Sequence, residues 1–406
     1  MAGARTAAIT STTAQSTIDL PYGRYGVLRG ILGRGKRFAS PANFIGERMR
    51  IAHVNFARGF RGGERQTFNL IEGLAALGLS QVLICRNKSE LARRVAPLGV
   101  PTREIAHPLL GHLSSPKVDL IHVHEARGAY WAGIEHKLRG TPYIITRRIP
   151  NPISTSRTTA GVYTNAVQLF GVSHDVSRRL SEQVGKPVQT ILSSATGMRA
   201  DPDLVRSIRE RLGGGPAVGP IVGHVGALHD HHKGQSVLIK AFQLLLRDYP
   251  DARLLLVGDG VDRAAFESLA AGDARIHFAG FQEEVGSWIA AMDLFCFPSR
   301  EEGLGSTVLD AMSLGVPVIA AAVGGLPELM GQDERGRLIP NHDPASWTEA
   351  MRDALQHRQD YVPRIAAARE FAESNGVAAM TRSYLAAYRH LLGRSAGADA
   401  GAYAAK

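Results

Sequence analysis

The chain of 406 residues carries a net charge of +10, with 44% hydrophobic and 21% charged residues, the proportions of a soluble globular protein. Its length exceeds one ordinary core and implies two domains. No run approaches the ~18 consecutive apolar residues of a membrane-spanning helix, and the first residues lack the apolar stretch of a secretory leader.

Residues 1–48, rich in Ala, Gly, Ser, Thr and Arg without periodicity, read as a disordered basic arm. Its YGVLRGILGRGKRF segment is suited to an anionic membrane surface, although Met49 could equally be the natural start. From Met49 short β-branched or Leu-rich runs alternate with segments of helical period: MRIAHVNF, GGERQTFNLIEGLAALG, QVLICR, KSELARRVAPLG, DLIHVH, ARGAYWAGIEHKLRG, PYIITRR and NAVQLFGVS. Strands separated by amphipathic helices predict a parallel sheet with helices on both faces. GGGPAVG at 213–219 reads as a linker, after which PIVGHVGAL, ARLLLVGDG, ARIHFAGF, LFCFPS, VPVIAA and GRLIP repeat the pattern.

The predicted fold is therefore α/β, two doubly wound Rossmann-like domains at 49–216 and 217–375. A helix at 376–396 lacks an obvious partner in the second domain and is expected to cross back to the first; 397–406 is a tail. Such domains place ligands outside the carboxyl ends of their strands, here in the cleft between them. Residues 49–216 carry 23 Lys and Arg against 12 Asp and Glu, whereas 217–406 carry 17 against 23. An anionic partner is thus expected at the front half only. Cys85 and Cys296, the two cysteines, lie in strands of different halves, which argues against a disulfide framework and for a cytoplasmic setting.

The most informative stretch is SREEGLGSTVLDAMSLGVPVIAA at 299–321. A loop after the LFCFPS strand leads into a helix beginning near Ser306, with Gly315 and Pro317 as its stop. Gly303 and Gly305 allow close backbone approach, and the free N–H groups of Ser306 and Thr307 form an anion site suited to a phosphate. Asp310 lies one turn further along the same face. Glu302 and Asp310 would bracket a nucleotide diphosphate sugar, the carboxylates accepting from sugar and ribose hydroxyls.

With AMSLGVPVIA, GGLPE, RGGERQTFNLIEGLAALG and GALHDHHKGQSVLIKAF, this stretch resembles the GT-B retaining glycosyltransferases of family 4, over residues from Met49 to about Gly393. HVHEARGAYWAGIEHKLRGTPYIITRR is similar to the subgroup that builds lipopolysaccharide core. The resemblance implies a nucleotide-sugar donor, a glycolipid or lipopolysaccharide-core acceptor, no cofactor or metal, and a cytoplasmic enzyme on the inner membrane face. It assigns Glu302 to the donor sugar and Lys233 to the diphosphate, with Gly62, Gly63, Gly303, Leu304, Gly305, Ser306 and Thr307 as donor contacts. Asp310 stands where the family has Glu, and Ala227 where it pairs an Arg with the Lys. Arg147 and Arg148 occupy the end of a strand where many relatives carry His.

His124, at the carboxyl end of the DLIHVH strand, reads as an orienting catalytic group or a packed structural histidine. Arg127, Arg147 and Arg148 near the same edge suit an anionic acceptor, and equally a solvated surface. HDHHK at 229–233 offers three histidines without the spacing of a metal site. GDGVDR at 258–263 lacks the third glycine of a dinucleotide turn, which argues against an oxidoreductase, and no interleaved aromatics support nucleic-acid binding despite a pI of about 9.8. A sugar-nucleotide binder without turnover remains compatible with Ala227, Asp310 and Arg148.

Overall fold

The computed structural model describes residues 49–106, 110–213 and 219–393; the arm at 1–48, most of the 213–219 linker and the 397–406 tail lie outside them. Seven parallel strands form the first sheet: β1 Arg50–Asn55, β2 Ser80–Arg86, β3 Thr102–Ile105, β4 Leu120–Val123, β5 Tyr143–Arg147, β6 Gln168–Gly171 and β7 Val188–Thr190. Their order is β3-β2-β1-β4-β5-β6-β7. β1, β2 and β4 to β6 carry Ile, Val, Leu and Phe runs covered by helices on both faces, as parallel sheets require.

The second sheet comprises β8 Ile221–Val225, β9 Arg253–Val257, β10 Ile276–Gly280, β11 Leu294–Phe297, β12 Val318–Ala321 and β13 Arg337–Ile339, ordered β10-β9-β8-β11-β12-β13. Strand order reverses between β1 and β4 and again between β8 and β11, which opens a crevice at the carboxyl ends of both central pairs.

Two details differ from the sequence reading. The helix Pro202–Arg211, assigned there to the first domain, buries Ile208 with Ile221, Ile289 and Phe295 of the second. The chain therefore changes domain before this helix, at the segment containing Ala195 and Thr196, rather than at the 213–219 linker. Ala195 forms an isolated parallel bridge with Gly376, so the outgoing and returning crossings lie side by side.

Beyond Gly376 the helix Val377–Leu391 packs Met380, Tyr384, Leu385 and Tyr388 against Met49, Ile51, Leu70, Leu120 and Phe170 of the first domain. Gly73 makes this approach possible, since a Cβ there would meet the Thr381 side chain.

Candidate functional site

The two crevices merge into a cleft of about 1510 Å³. On the second-domain wall, β11 runs into the loop 298–305, and the helix Ser306–Ser313 starts from Gly305 at φ 91°. A left-handed residue at that position suits glycine, and its lack of a side chain leaves the first N–H groups of the helix uncapped toward the cleft. Gly303 is required by contact instead: a Cβ would stand 2.1 Å from the Arg148 carbonyl oxygen of the opposite domain. Ser173 Oγ donates to the Gly303 carbonyl at 2.7 Å and completes this junction.

Lys233 ends the one-turn helix Asp230–Lys233 after β8. Its ammonium donates to Glu302 Oε2 at 2.5 Å and sits 4.9 Å from the Phe297 ring centre. The Arg300 N–H donates to the His232 carbonyl at 2.8 Å, fastening the two loops that carry the pair. Ala227, where the resemblance expects Arg, is exposed on the same wall.

Gly62 and Gly63 open the helix Gly62–Ala76 across the cleft. A Cβ on Gly62 would lie 3.8 Å from Ser306 Oγ, and one on Gly63 3.6 Å from Arg148 Cδ. Two helix starts thus face one another, that of Ser306–Ser313 uncapped and that of Gly62–Ala76 carrying Glu64 on the Arg61 N–H, and both direct their positive ends at a ligand between them. Leu304 touches the cleft but is chiefly a core residue, packed with Val308 and Leu326.

Three expected site residues are placed elsewhere. The Asp310 carboxylate is buried and accepts from the Thr196 N–H and hydroxyl at 2.7 and 2.8 Å. One methylene shorter than the expected Glu, it is held by the crossing segment rather than presented to a ribose. Burial raises its pKa to about 6 against the Thr196 hydrogen bonds, which lower it.

Arg127 is exposed at the start of the helix Ala126–Arg139 and does not line the cleft. His124 is buried behind the wall, with Nε2 3.0 Å from His53 Nδ1 and Nδ1 3.3 Å from Arg148 Nη2. Arg147 lines the cleft but its Nη2 donates to the Asn151 carbonyl at 2.6 Å, bracing the loop at 149–154.

Sequence reasoning missed His53. It pairs in register with His122 across β1 and β4, and its ring stacks on His124 with centres 5.3 Å apart. Only the strand register could have disclosed it. The ligand atoms of His53, His122 and His124 lie within 4.8 Å of one another. Both His122 nitrogens face hydroxyls, Tyr388 at 2.6 Å and Thr146 at 2.7 Å, and His124 is engaged on both sides. With both His122 nitrogens taken by hydroxyls and a guanidinium donating to His124, the trio forms a hydrogen-bond network rather than an open cation site. Burial pulls the pKa of His53 down to about 3 and those of His122 and His124 well below the usual imidazole range.

Two parallel doubly wound domains facing a cleft walled by a Lys–Glu pair and opposed helix starts are the GT-B architecture of glycosyltransferases. Residues 219–357 match the family described as Glycosyl transferases group 1. The chain is 30% identical over 313 residues to a 2-deoxystreptamine N-acetyl-D-glucosaminyltransferase of Streptomyces fradiae, covering 70% of this chain and 73% of the relative. It is 34% identical over 219 residues to the lipopolysaccharide core biosynthesis mannosyltransferase LpsB of Rhizobium meliloti, covering 51% of this chain and 60% of that one. HepE of Anabaena, solved in complex with UDP-glucose, superposes with a TM-score of 0.75 at 19% identity over 84% of this chain and 100% of its own.

The protein belongs to the group 1 glycosyltransferase family.

Proposed function

We propose that the protein transfers a sugar, with retention of anomeric configuration as in family 4, from a nucleotide-diphosphate sugar to a glycolipid or lipopolysaccharide-core acceptor. The observation that carries the reading is the Lys233–Glu302 pair beside the uncapped helix Ser306–Ser313, facing Gly62 and Gly63 across the cleft. The donor diphosphate would lie between the helix starts, with the sugar toward Glu302. The bond from the anomeric carbon to the diphosphate oxygen breaks, the acceptor oxygen bonds to that carbon, and the acceptor proton passes to the leaving phosphate. Lys233 and the helix amides stabilise the developing negative charge without reorganising.

The LpsB relationship supports a lipopolysaccharide-core acceptor, and the basic residues of 49–216 support work at an anionic inner membrane face. Among the described residues no helix is long and apolar enough to cross a membrane.

The test incubates the full chain with labelled UDP-, GDP- and ADP-sugars and a core glycolipid in anionic vesicles. Label should enter the lipid phase from one donor class, and NMR should show the product anomer unchanged. Lys233→Ala and Glu302→Ala should each lower the rate about 100-fold to 1000-fold. Wild-type rates in both variants would remove the assigned site; inversion of the anomer would remove the retaining mechanism.

A further inference from the structure

Arg148 occupies an unusual position. It follows β5 with its side chain running beneath Gly63, at the start of the helix Gly62–Ala76. Its Nη2 donates to His124 Nδ1, while Nε and Nη1 are buried with no hydrogen-bond partner. A guanidinium can only donate, so His124 must accept on Nδ1 and carry its proton on Nε2, from which it donates to His53 Nδ1. This relay is neutral and fixes the guanidinium without compensating its charge. Tyr384 and Tyr388 are near, but both phenols are held protonated by burial. The Glu64 carboxylate accepts from the Arg61 N–H at 3.0 Å and reaches the guanidinium only through space, an attraction smaller than the cost of its burial.

A buried charge with two unfilled donors is costly unless a partner arrives. The helix start beside it adds positive potential, so that partner is an anion. On the second-domain wall the ammonium of Lys233 is shared with Glu302, and Ala227 supplies no charge. We propose that Arg148, braced by His124 and His53, is the receptor for a phosphate oxyanion of the substrate, supplying from the first domain the second cation that position 227 lacks. The proposal rests on the donor-site reading above. The phosphate is either the donor diphosphate or a phosphate on the acceptor.

The test compares wild type with Arg148→Gln and Arg148→Lys by calorimetric titration, using UDP, GDP and ADP, the matching nucleosides, and inorganic phosphate in the presence of saturating nucleoside diphosphate. Arg148→Gln should weaken either the diphosphate or the added phosphate about tenfold or more while leaving nucleoside binding unchanged. Arg148→Lys should recover part of the loss. Loss of nucleoside diphosphate affinity, restored by adding Ala227→Arg to Arg148→Gln, identifies the donor diphosphate as the source. Loss confined to inorganic phosphate identifies the acceptor.

The ligand-free Arg148→Gln variant should also melt higher than wild type, because an unpaired buried charge has been removed. A purely structural arginine would lower the melting point and leave both affinities intact, and that result overturns the proposal. If wild type binds no nucleoside diphosphate, the donor reading fails and this proposal with it. Undiminished binding of both ligands to Arg148→Gln overturns this proposal alone.

Discussion

Asp310 is a carboxylate whose neighbours disagree about its charge. Thr196 donates to it twice, favouring the ionised form, yet its burial raises the pKa to about 6 from an ordinary value of 3.8. A carboxyl whose folded pKa exceeds its unfolded one binds more protons when folded, so its contribution to stability falls as pH rises through that interval. Asp310→Asn cannot titrate. Relative to this variant, wild type should gain about 2–3 kcal/mol as pH is lowered from 7 to 4, read from urea unfolding at each pH. A gap independent of pH would mean that the carboxylate is solvated in the native state.

Asp310 also marks a limit of what the sequence discloses. Its helix, its face and its distance from Ser306 are legible from spacing alone. That Thr196, 114 residues away, would claim its oxygens is not, because local periodicity carries no information about the crossing segment. Lys233 and Glu302 were legible because each belongs to a short loop with recognisable neighbours, and the structure brings them into contact.

At the scale of elements, the helix Ser306–Ser313 was readable from its glycines and its apolar run, and its start at Gly305 follows from them. β3 and β7 were not. Thr102, Arg103 and Glu104 of β3 are exposed, and β7 has three residues, so neither shows the apolar signal of a central strand. The helix Pro202–Arg211 shows a third kind of miss: periodicity reveals that Ile208 lies on an apolar face, without saying which domain covers it.

The loop 298–305 yields a sharper prediction. Gly303→Ala would drive a Cβ to 2.1 Å from the Arg148 carbonyl and disturb the Ser173 hydrogen bond. Neither backbone can yield without parting the two walls. The variant should lose at least about tenfold in transfer rate, as positioning of reacting groups is sensitive to shifts of this size, and its scattering radius should rise. Unchanged activity and radius would mean that the loop accommodates the methyl group locally.

Across the whole molecule, the two domains touch at several points around the cleft. His174 and Glu328 meet at 2.6 Å, Arg94 and Glu283 at 2.5 Å, and the Ser173 hydroxyl donates to the Gly303 carbonyl at 2.7 Å. The exposed ionic contacts among them are individually weak and screened by salt. The side-by-side crossings at Ala195 and Gly376 are the covalent connection on which any opening must turn.

The return of the helix Val377–Leu391 to the first domain bears on how the protein is made. A ribosome releases Met49, Ile51, Leu70 and Phe170 early, but the residues that cover them, Met380, Tyr384 and Tyr388, leave the exit tunnel almost last. The second domain, which runs from the helix beginning at Pro202 to Ser374, has every strand available before the first has its lid, so the order of completion reverses the order of synthesis. Chains stopped at residue 375 should expose that apolar floor, bind a hydrophobic dye and aggregate, whereas adding residues 376–393 as a separate peptide should suppress both; full solubility of the stopped chain would refute this. Premature termination near the end of the message is therefore felt at the beginning of the fold.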